Sequence, residues 1–469
     1  MRNMNIAVID KYKGYHEYQL NQSYNLEMKA FHHKIIVLDD DPTGIQKVHG
    51  IYVYTDWSES SILDGFQSEN QMFFILTNSR AFSKEITKKV HEKITKRIAK
   101  VSEQLDQPYI IISRSDSTLR GHFPIETQVI NDTLAHPLDG EIIIPFFKEG
   151  GRYTLHNIHY VEMNGELVPA AETEFARDRT FSFSTSHLGE YIEEKSMGKF
   201  KKNNVVYIEL DDLRALNIEK IMGQLIDVTH FNKVVVNAIS DNDLKVFTIA
   251  LIRAIKKGKR FLFRTAASFT KVIGHVTDRD RLTKEEMIQK NITSGGLIIV
   301  GSHVRKTTQQ LNELLKLKEV MPIEFNSNLV FDKEKFEAEI ENRILDLNQK
   351  IARGQTCVIY TRRKRLDLGK GMPERDLALS VQISNGLTKI IKSLSCRPRY
   401  IIAKGGITSS EIGTKALNVS KALVLGQALP GIPVWKTDGS SKYPNMAYII
   451  FPGNVGEVTD LFNIVKNLS

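Results

Sequence analysis

KIIVLDDDPTGIQKVHG, residues 34–50, joins an apolar run to three successive carboxylates, Asp39, Asp40 and Asp41, and then to Pro42, Thr43 and Gly44. An unbroken β-rich apolar run describes a strand buried on both faces. In an open α/β sheet, ligands gather at the carboxyl ends of such strands. Adjacent carboxylates repel one another, so water, a metal ion or cationic neighbours must offset that cost. The plainer reading is an acidic turn that closes a strand. The Pro-Thr-Gly turn fixed directly behind the charges favours a functional one.

Runs of the same kind recur outward from this stretch. They are MFFIL (72–76), YIIIS (109–113), EIIIP (141–145), VVYIEL (205–210) and KVVVNAI (233–239). After the charged segment DRDRLTKEEMIQKNITSGG a second series follows: LIIVGS (297–302), CVIYT (357–361), YIIAKGG (400–406), ALVLG (422–426) and MAYIIFPG (446–453). Helix-like stretches separate most of them, which is how a mainly parallel sheet covered on both faces reads in sequence. At 469 residues the chain exceeds what one core organises. The expectation is an α/β protein of two domains, each a mainly parallel sheet flanked by helices, with domains at 31–285 and 286–469. Residues 1–30 are polar, show no convincing period and read as an N-terminal extension. Between EIIIPFF and VVYIEL lies a long segment of weak period; its HYVEMNGELVP is a candidate hairpin beside the sheet, placed to help cover a substrate.

Composition narrows the class. With 41% hydrophobic and 25% charged residues the chain is globular rather than disordered. Cys357 and Cys396 are far apart and lack a CxxC partner, so neither a disulfide framework nor a zinc site is expected, and a reducing compartment is the default. The apolar stretch Ile6–Ile9 is cut by Asp10 and Lys11, too short for a signal core or a membrane span, so the expected location is cytoplasmic. The net charge of +9 is a mild excess that suits an anionic ligand. In the most basic stretch, SKEITKKVHEKITKRIAKVSEQL, Ile86, Val90, Ile94, Ile98, Val101 and Leu105 fall at helical spacing, leaving the lysines on a solvated face; no nucleic-acid motif stands out.

Three further turns carry chemistry. YIIISRSDSTLRGHFPIET runs from a strand into Arg114, Ser115, Asp116, Ser117, Thr118 and Arg120. Guanidinium forks suit a carboxylate, and aspartate and serine suit sugar hydroxyls; the plainer reading is a polar loop with Ser117 as a helix cap. NSRAFSKE puts Arg80 in another such connection, able to pair with a substrate carboxylate, although a lone loop arginine is more often a surface ion pair. YIIAKGGITSSEIGTKAL is strand, glycine turn, helix start, with Gly405 and Gly406 open to a ligand, Thr408, Ser409 or Ser410 as cap candidates, and Glu411 in the first turn. Free amides there favour an anion by about 0.3–1 kcal/mol. LIIVGSHVRKTT repeats the pattern with Gly301 and Ser302, and Gly453, Asn454 and Gly456 are candidates for the floor of the same pocket. The glycine-lysine-serine ending of a Walker A loop is absent.

Taken in order, DDPTG, DSTLRG, GSHV and GGITS, with EGGRYT, HYV and ETEFARD between them, resemble the four-carbon acid sugar kinase family from residue 33 onward. The resemblance implies an N-terminal sugar-acid domain, a C-terminal nucleotide domain and an active site in the interdomain cleft. It implies that Asp40, Asp41, Arg80, Arg114, Ser115, Asp116 and Ser117 bind substrate. It implies that Ser302, Gly405, Gly406, Ile407 and Thr408 meet ATP; Gly453 and Asn454 join them on the reading of the last glycine turn as the pocket floor, for which an ordinary turn is the equal alternative. Mg2+ would neutralise the phosphates, and Asp40, Asp41 or Asp116 would accept the hydroxyl proton. Expected partners are therefore a small sugar acid and ATP, without nucleic acid or membrane; a homodimer is left open. Ile407 departs from the acidic residue of the family's GG[DE]TS loop, and Val304 from the second serine of its GSxS-type loop. Two rivals remain. Asp39, Asp41 and Thr43 also satisfy the DxDxT pattern of a haloacid dehalogenase-like phosphatase, with Asp39 as nucleophile. The basic balance alone would suit a non-catalytic sugar-acid or nucleic-acid-binding protein.

Overall fold

The computed structural model describes residues 3–12, 14–363, 373–453 and 455–469. The chain divides into two compact units, Met1–Asp278 and Arg279–Ser469. In the first, eight strands lie in the order Val206–Ile208, Asn232–Val236, Gly140–Ile144, Phe261–Thr265, Tyr109–Arg114, Lys34–Asp39, Met72–Leu76 and Tyr52–Tyr54, with every neighbouring pair parallel. All six runs singled out in this half are strands. Phe261–Thr265 and Tyr52–Tyr54 were not foreseen, being short and interrupted by polar residues. The register sets Asp39 level with Arg114 on one side and Leu76 on the other, and Arg114 level with Thr265. Four strands thus deliver their carboxyl ends to one line.

The basic stretch forms the helix Lys84–Leu105, capped by Ser83, whose Oγ accepts from the Ile86 amide. It buries Val90, Ile94, Ile98 and Val101, whereas Ile86, expected on that face, is exposed in the first turn. The candidate hairpin is present as Ile158–Met163 against Glu166–Pro169, turning at Asn164 and Gly165, both at positive φ. Such a two-residue turn matches the twist of the strands it joins. Arg152–Leu155 pairs with the other edge of Ile158–Met163.

The described residues among the first 30 are more ordered than their weak periodicity suggests. Met4–Asn5 pairs antiparallel with Glu166–Leu167, extending the hairpin sheet. Glu17–Lys29 is a helix whose Leu20, Tyr24 and Met28 are buried, at a spacing of four that places them on one face. It packs on the helix Asp241–Lys256, and Glu27 pairs with Arg253 at 2.8 Å and Lys256 at 2.7 Å. A stripe of three apolar residues among ten others is too thin to read as a helix without its partner.

The second unit has five parallel strands, Val320–Phe325, Thr356–Thr361, Leu297–Val300, Ile401–Lys404 and Ala447–Phe451, continued by antiparallel Ile432–Thr437 and Lys421–Leu429. Val320–Phe325 escaped the sequence reading because Pro322 demotes a run, yet proline is tolerated on an edge strand such as this. Among the described residues, no helix is long and apolar enough to cross a membrane.

Candidate functional site

The line of carboxyl strand ends in the first unit carries an interlocked set of carboxylates and guanidiniums. Arg80 donates to both oxygens of Asp40, from Nη2 at 2.7 Å and Nε at 3.1 Å. Its Nη1 reaches Asp41 at 3.4 Å and lies 3.9 Å from Asp116. Arg114 pairs with Asp39 at 3.3 Å and approaches Asp40 at 3.8 Å. Arg120 grips Asp116 with Nε at 2.8 Å and Nη2 at 3.2 Å, and Thr118 donates to the same carboxylate from both amide and hydroxyl. Asp40, Asp41, Arg80, Arg114 and Asp116 are thus one cluster, as the sequence suggested. Ser117 borders it, its carbonyl accepting from His159 Nε2 at 2.7 Å, while Ser115 is buried and its amide bonds the Thr265 carbonyl.

The carboxylates differ in character. Burial pushes Asp39 up to about 8, with Arg114 opposing and Asp40 and Asp41 adding to the rise. Asp39 is 1% exposed, and a Cβ on Gly44 would lie 2.0 Å from its Oδ2, so the turn closes directly over it. Burial raises Asp40 as well, with Arg80 opposing. For Asp41 burial is outweighed by Arg80 and Thr43, which hold it below the ordinary value. For Asp116 burial is outweighed by Arg120 and Arg80, which hold it far below. Asp41 and Asp116 are also the two whose side chains reach solvent, at 16% and 11%. They are the accessible anions of the cluster.

Behind the cluster, Glu126 accepts from Ser79 Oγ at 2.6 Å and from Arg264 Nη1 at 3.2 Å, and Arg264 Nη2 donates to the Arg120 carbonyl at 3.3 Å. Arg264 also lies over the Phe123 ring at 4.9 Å. Through these bonds one carboxylate ties the Arg80 turn to the Arg120 turn. Sequence reading missed both residues: Arg264 sits in an unforeseen strand, and Glu126 is an unremarkable helical position. Glu126→Ala strands a buried guanidinium, and the expected loss is about 3–5 kcal/mol, read as an earlier urea transition; a variant within 1 kcal/mol of the parent would remove Glu126 from this role.

In the second unit small residues meet. A Cβ on Gly301 would lie 2.4 Å from Thr408 Oγ1, and one on Gly405 would lie 2.9 Å from the Ser302 Cβ. A Cβ on Gly453 would come within 3.6 Å of Ser302 Oγ. Gly405 has φ +115° and the helix Gly406–Glu411 begins directly after it, continued by a π turn over Ile412–Ala416. Gly301, Ser302, Gly405, Thr408 and Gly453 therefore pack together in one place, with Ile407 beside them and 65% exposed. Asn454 lies outside the described residues. Two local expectations are corrected. Thr408, Ser409 and Ser410 lie inside the helix, with Gly405 at the cap position and Ser409 Oγ bonded to the Ala403 carbonyl at 2.8 Å. Glu411 closes that helix instead of opening it, bonding Ser384 and Lys415. The chain needs Gly405's left-handed backbone to turn sharply, which moves the helix start upstream of every hydroxyl.

Lys404 precedes this turn fully buried, its Nζ donating to the Pro452 and Gly453 carbonyls and lying 3.9 Å from the Phe451 ring centroid. Burial, with Lys306 adding, pushes its ammonium down to about 6. The unfolded chain then binds the extra proton between pH 6 and the ordinary lysine value, so this group makes stability rise with pH across that window. Lys404→Met is expected to flatten that rise in urea midpoints measured from pH 6 to 10. An unchanged slope would mean the amine stays charged in place.

The chain matches two domain models: a sugar-binding N-terminal domain over residues 35–273 and a nucleotide-binding C-terminal domain over residues 297–461. Fold and sites thus define a two-domain α/β protein that joins a sugar-binding domain to a nucleotide-binding one. Those two domains make up the four-carbon acid sugar kinase family, and the chain belongs to it. Among solved structures it is similar to Haemophilus influenzae protein HI1011 of family DUF1537, at 16% identity and TM-score 0.61, covering 92% of this chain and 99% of that one. It is also similar to a protein described as a putative tRNA synthase from Salmonella typhimurium LT2, at 13% identity and TM-score 0.66, covering 92% and 98%. At these identities the likeness speaks for the fold. No curated protein matches the chain.

Proposed function

We propose that this protein is an ATP-dependent kinase that phosphorylates the terminal hydroxyl of a four-carbon sugar acid of the threonate, erythronate or oxo-tetronate type. The observation that carries the reading is the Asp40–Asp41–Arg80–Asp116 cluster at the carboxyl strand ends of a sugar-binding domain, in a chain that also holds a nucleotide-binding domain. Asp40, Asp41, Arg80 and the loop Arg114–Ser117 hold the acceptor, Asp40 chiefly by fixing Arg80. Ser302, Gly405, Gly406, Ile407, Thr408 and Gly453, with Asn454, hold ATP, the glycines letting phosphate approach backbone that a Cβ would obstruct.

The acceptor oxygen attacks the γ-phosphorus, the bond to the β-phosphate oxygen breaks, ADP leaves, and the hydroxyl proton passes to a carboxylate. Asp41 and Asp116 suit that last role, being ionised at neutral pH and the two less enclosed carboxylates beside Arg80. Among the described residues, no group of three acidic, histidine or cysteine side chains forms a metal cage. Mg2+ bound with the nucleotide would neutralise phosphate charge.

The enclosure of Asp39 by Arg114 and the Gly44 turn disfavours its use as a phosphatase nucleophile. ADP release should be measured with MgATP across threonate, erythronate and their oxo derivatives. Acid-dependent ADP formation is expected for one of them. No acid-dependent ADP with any, together with ATP-independent phosphate release from phosphorylated acids, would replace the kinase with the phosphatase.

A further inference from the structure

We infer that Arg152, the arginine of the EGGRYT stretch and so far without an assigned role, is the residue that binds the carboxylate of the acid substrate and so selects acids over neutral polyols. The inference rests on the sugar-acid reading above and deepens it. The four other guanidiniums around the cluster are already committed to protein carboxylates: Arg80 to Asp40 and Asp41, Arg114 to Asp39, Arg120 to Asp116 and Arg264 to Glu126. An anionic substrate entering beside these aspartates is repelled unless a further cation receives it.

Arg152 is placed to be that cation. It lies on Arg152–Leu155 two residues before Thr154, so both side chains project from one face of the strand. That face is pinned against the substrate loop, because Thr154 Oγ1 bonds His159 Nδ1 at 3.0 Å and His159 Nε2 bonds the Ser117 carbonyl at 2.7 Å. The guanidinium lies over the Phe175 ring at 5.6 Å, and Arg120, the clamp on Asp116, lies over the same ring at 5.0 Å. Arg152 Nε is buried without a hydrogen-bond partner, and no described carboxylate forms an ion pair with the side chain. The side chain is half-buried, and a buried guanidinium N–H left without an acceptor is costly. Burial accordingly pushes Arg152 below its ordinary value, partly relieved by the field of Asp116. A ligand carboxylate would supply the missing acceptors in the two-pronged geometry that arginine favours.

The test is calorimetric titration of the full chain with the sodium salts of D- and L-threonate and D- and L-erythronate, and with the neutral tetritols threitol and erythritol. For whichever acid the parent binds, Arg152→Met should weaken binding about 10- to 100-fold, while tetritol binding stays as in the parent. Arg152→Lys should recover part of the loss, keeping charge without the fork. Melting temperatures confirm folding, and Arg152→Lys decides the matter if Arg152→Met does not fold: parental acid affinity in it would leave the guanidinium fork without a role. An Arg152→Met variant that binds the acid as the parent does overturns the inference and leaves the kinase reading standing. A parent that binds none of the four acids, nor their oxo derivatives titrated in the same way, removes the sugar-acid reading and this inference with it.

Discussion

Asp116→Asn is expected to lower turnover about 100- to 10,000-fold, the range for losing a positioned acid–base group, while the protein stays folded. The amide keeps the shape of the carboxylate and can still accept from Thr118 and Arg120, so the loop has no reason to unravel. What disappears is the negative charge that Arg120 and Arg80 converge on, and with it the proposed proton acceptor. Because those arginines hold Asp116 far below the ordinary carboxylate value, the wild-type rate should show no acid limb from this group above about pH 4. The same depression fixes the sign of the stability effect. A carboxylate ionised more readily in the folded state stabilises it above its unfolded value, and this contribution is lost as pH falls. The variant should therefore melt below the parent at pH 7, with the gap beginning to narrow only below about pH 4. Parental turnover in Asp116→Asn would take the residue out of the chemistry.

How much of this was legible beforehand depended on whether a residue's neighbours were close in sequence. The strand ending in Asp39, Asp40 and Asp41 declares itself, since a fully buried parallel strand is a continuous apolar run and its charged end must face a ligand or a counter-ion. Parallel order then brings Arg80 and Arg114 to the same edge without further information. The partnering of those charges was not legible. Arg80 reads as free to meet a substrate anion, and only the register shows it spending both prongs on Asp40. Arg152 is the converse case, an arginine in a weakly periodic segment whose lack of a partner emerges only when the hairpin lies against Ser117. The helix at Glu17–Lys29 was hidden for a related reason. Its stability comes from packing on Asp241–Lys256, and an isolated helix of 13 residues is marginal in water.

The glycine turn of the second unit shows the same division between backbone and side chain, and it yields the other large expected effect. Its glycines announce a close approach, but which one is indispensable follows from dihedral angles. Gly405, at φ +115° and ψ 142°, occupies a region essentially reserved for glycine, where another residue costs of order 1–3 kcal/mol. A side chain there would also start 2.9 Å from the Ser302 Cβ, inside the patch proposed for ATP phosphate. Gly405→Val should therefore weaken nucleotide binding at least about tenfold, the worth of one hydrogen bond to a charged group, and lower the melting temperature too. Gly405→Ala isolates the cost of the strain and the first carbon from what the two valine methyls add. Acid binding measured by calorimetry should be parental in both, because the proposed acceptor site is built from Asp40, Asp41, Arg80 and Asp116 in the other unit. If valine at 405 left ATP affinity unchanged in a folded protein, the phosphates would have to lie elsewhere than against this turn.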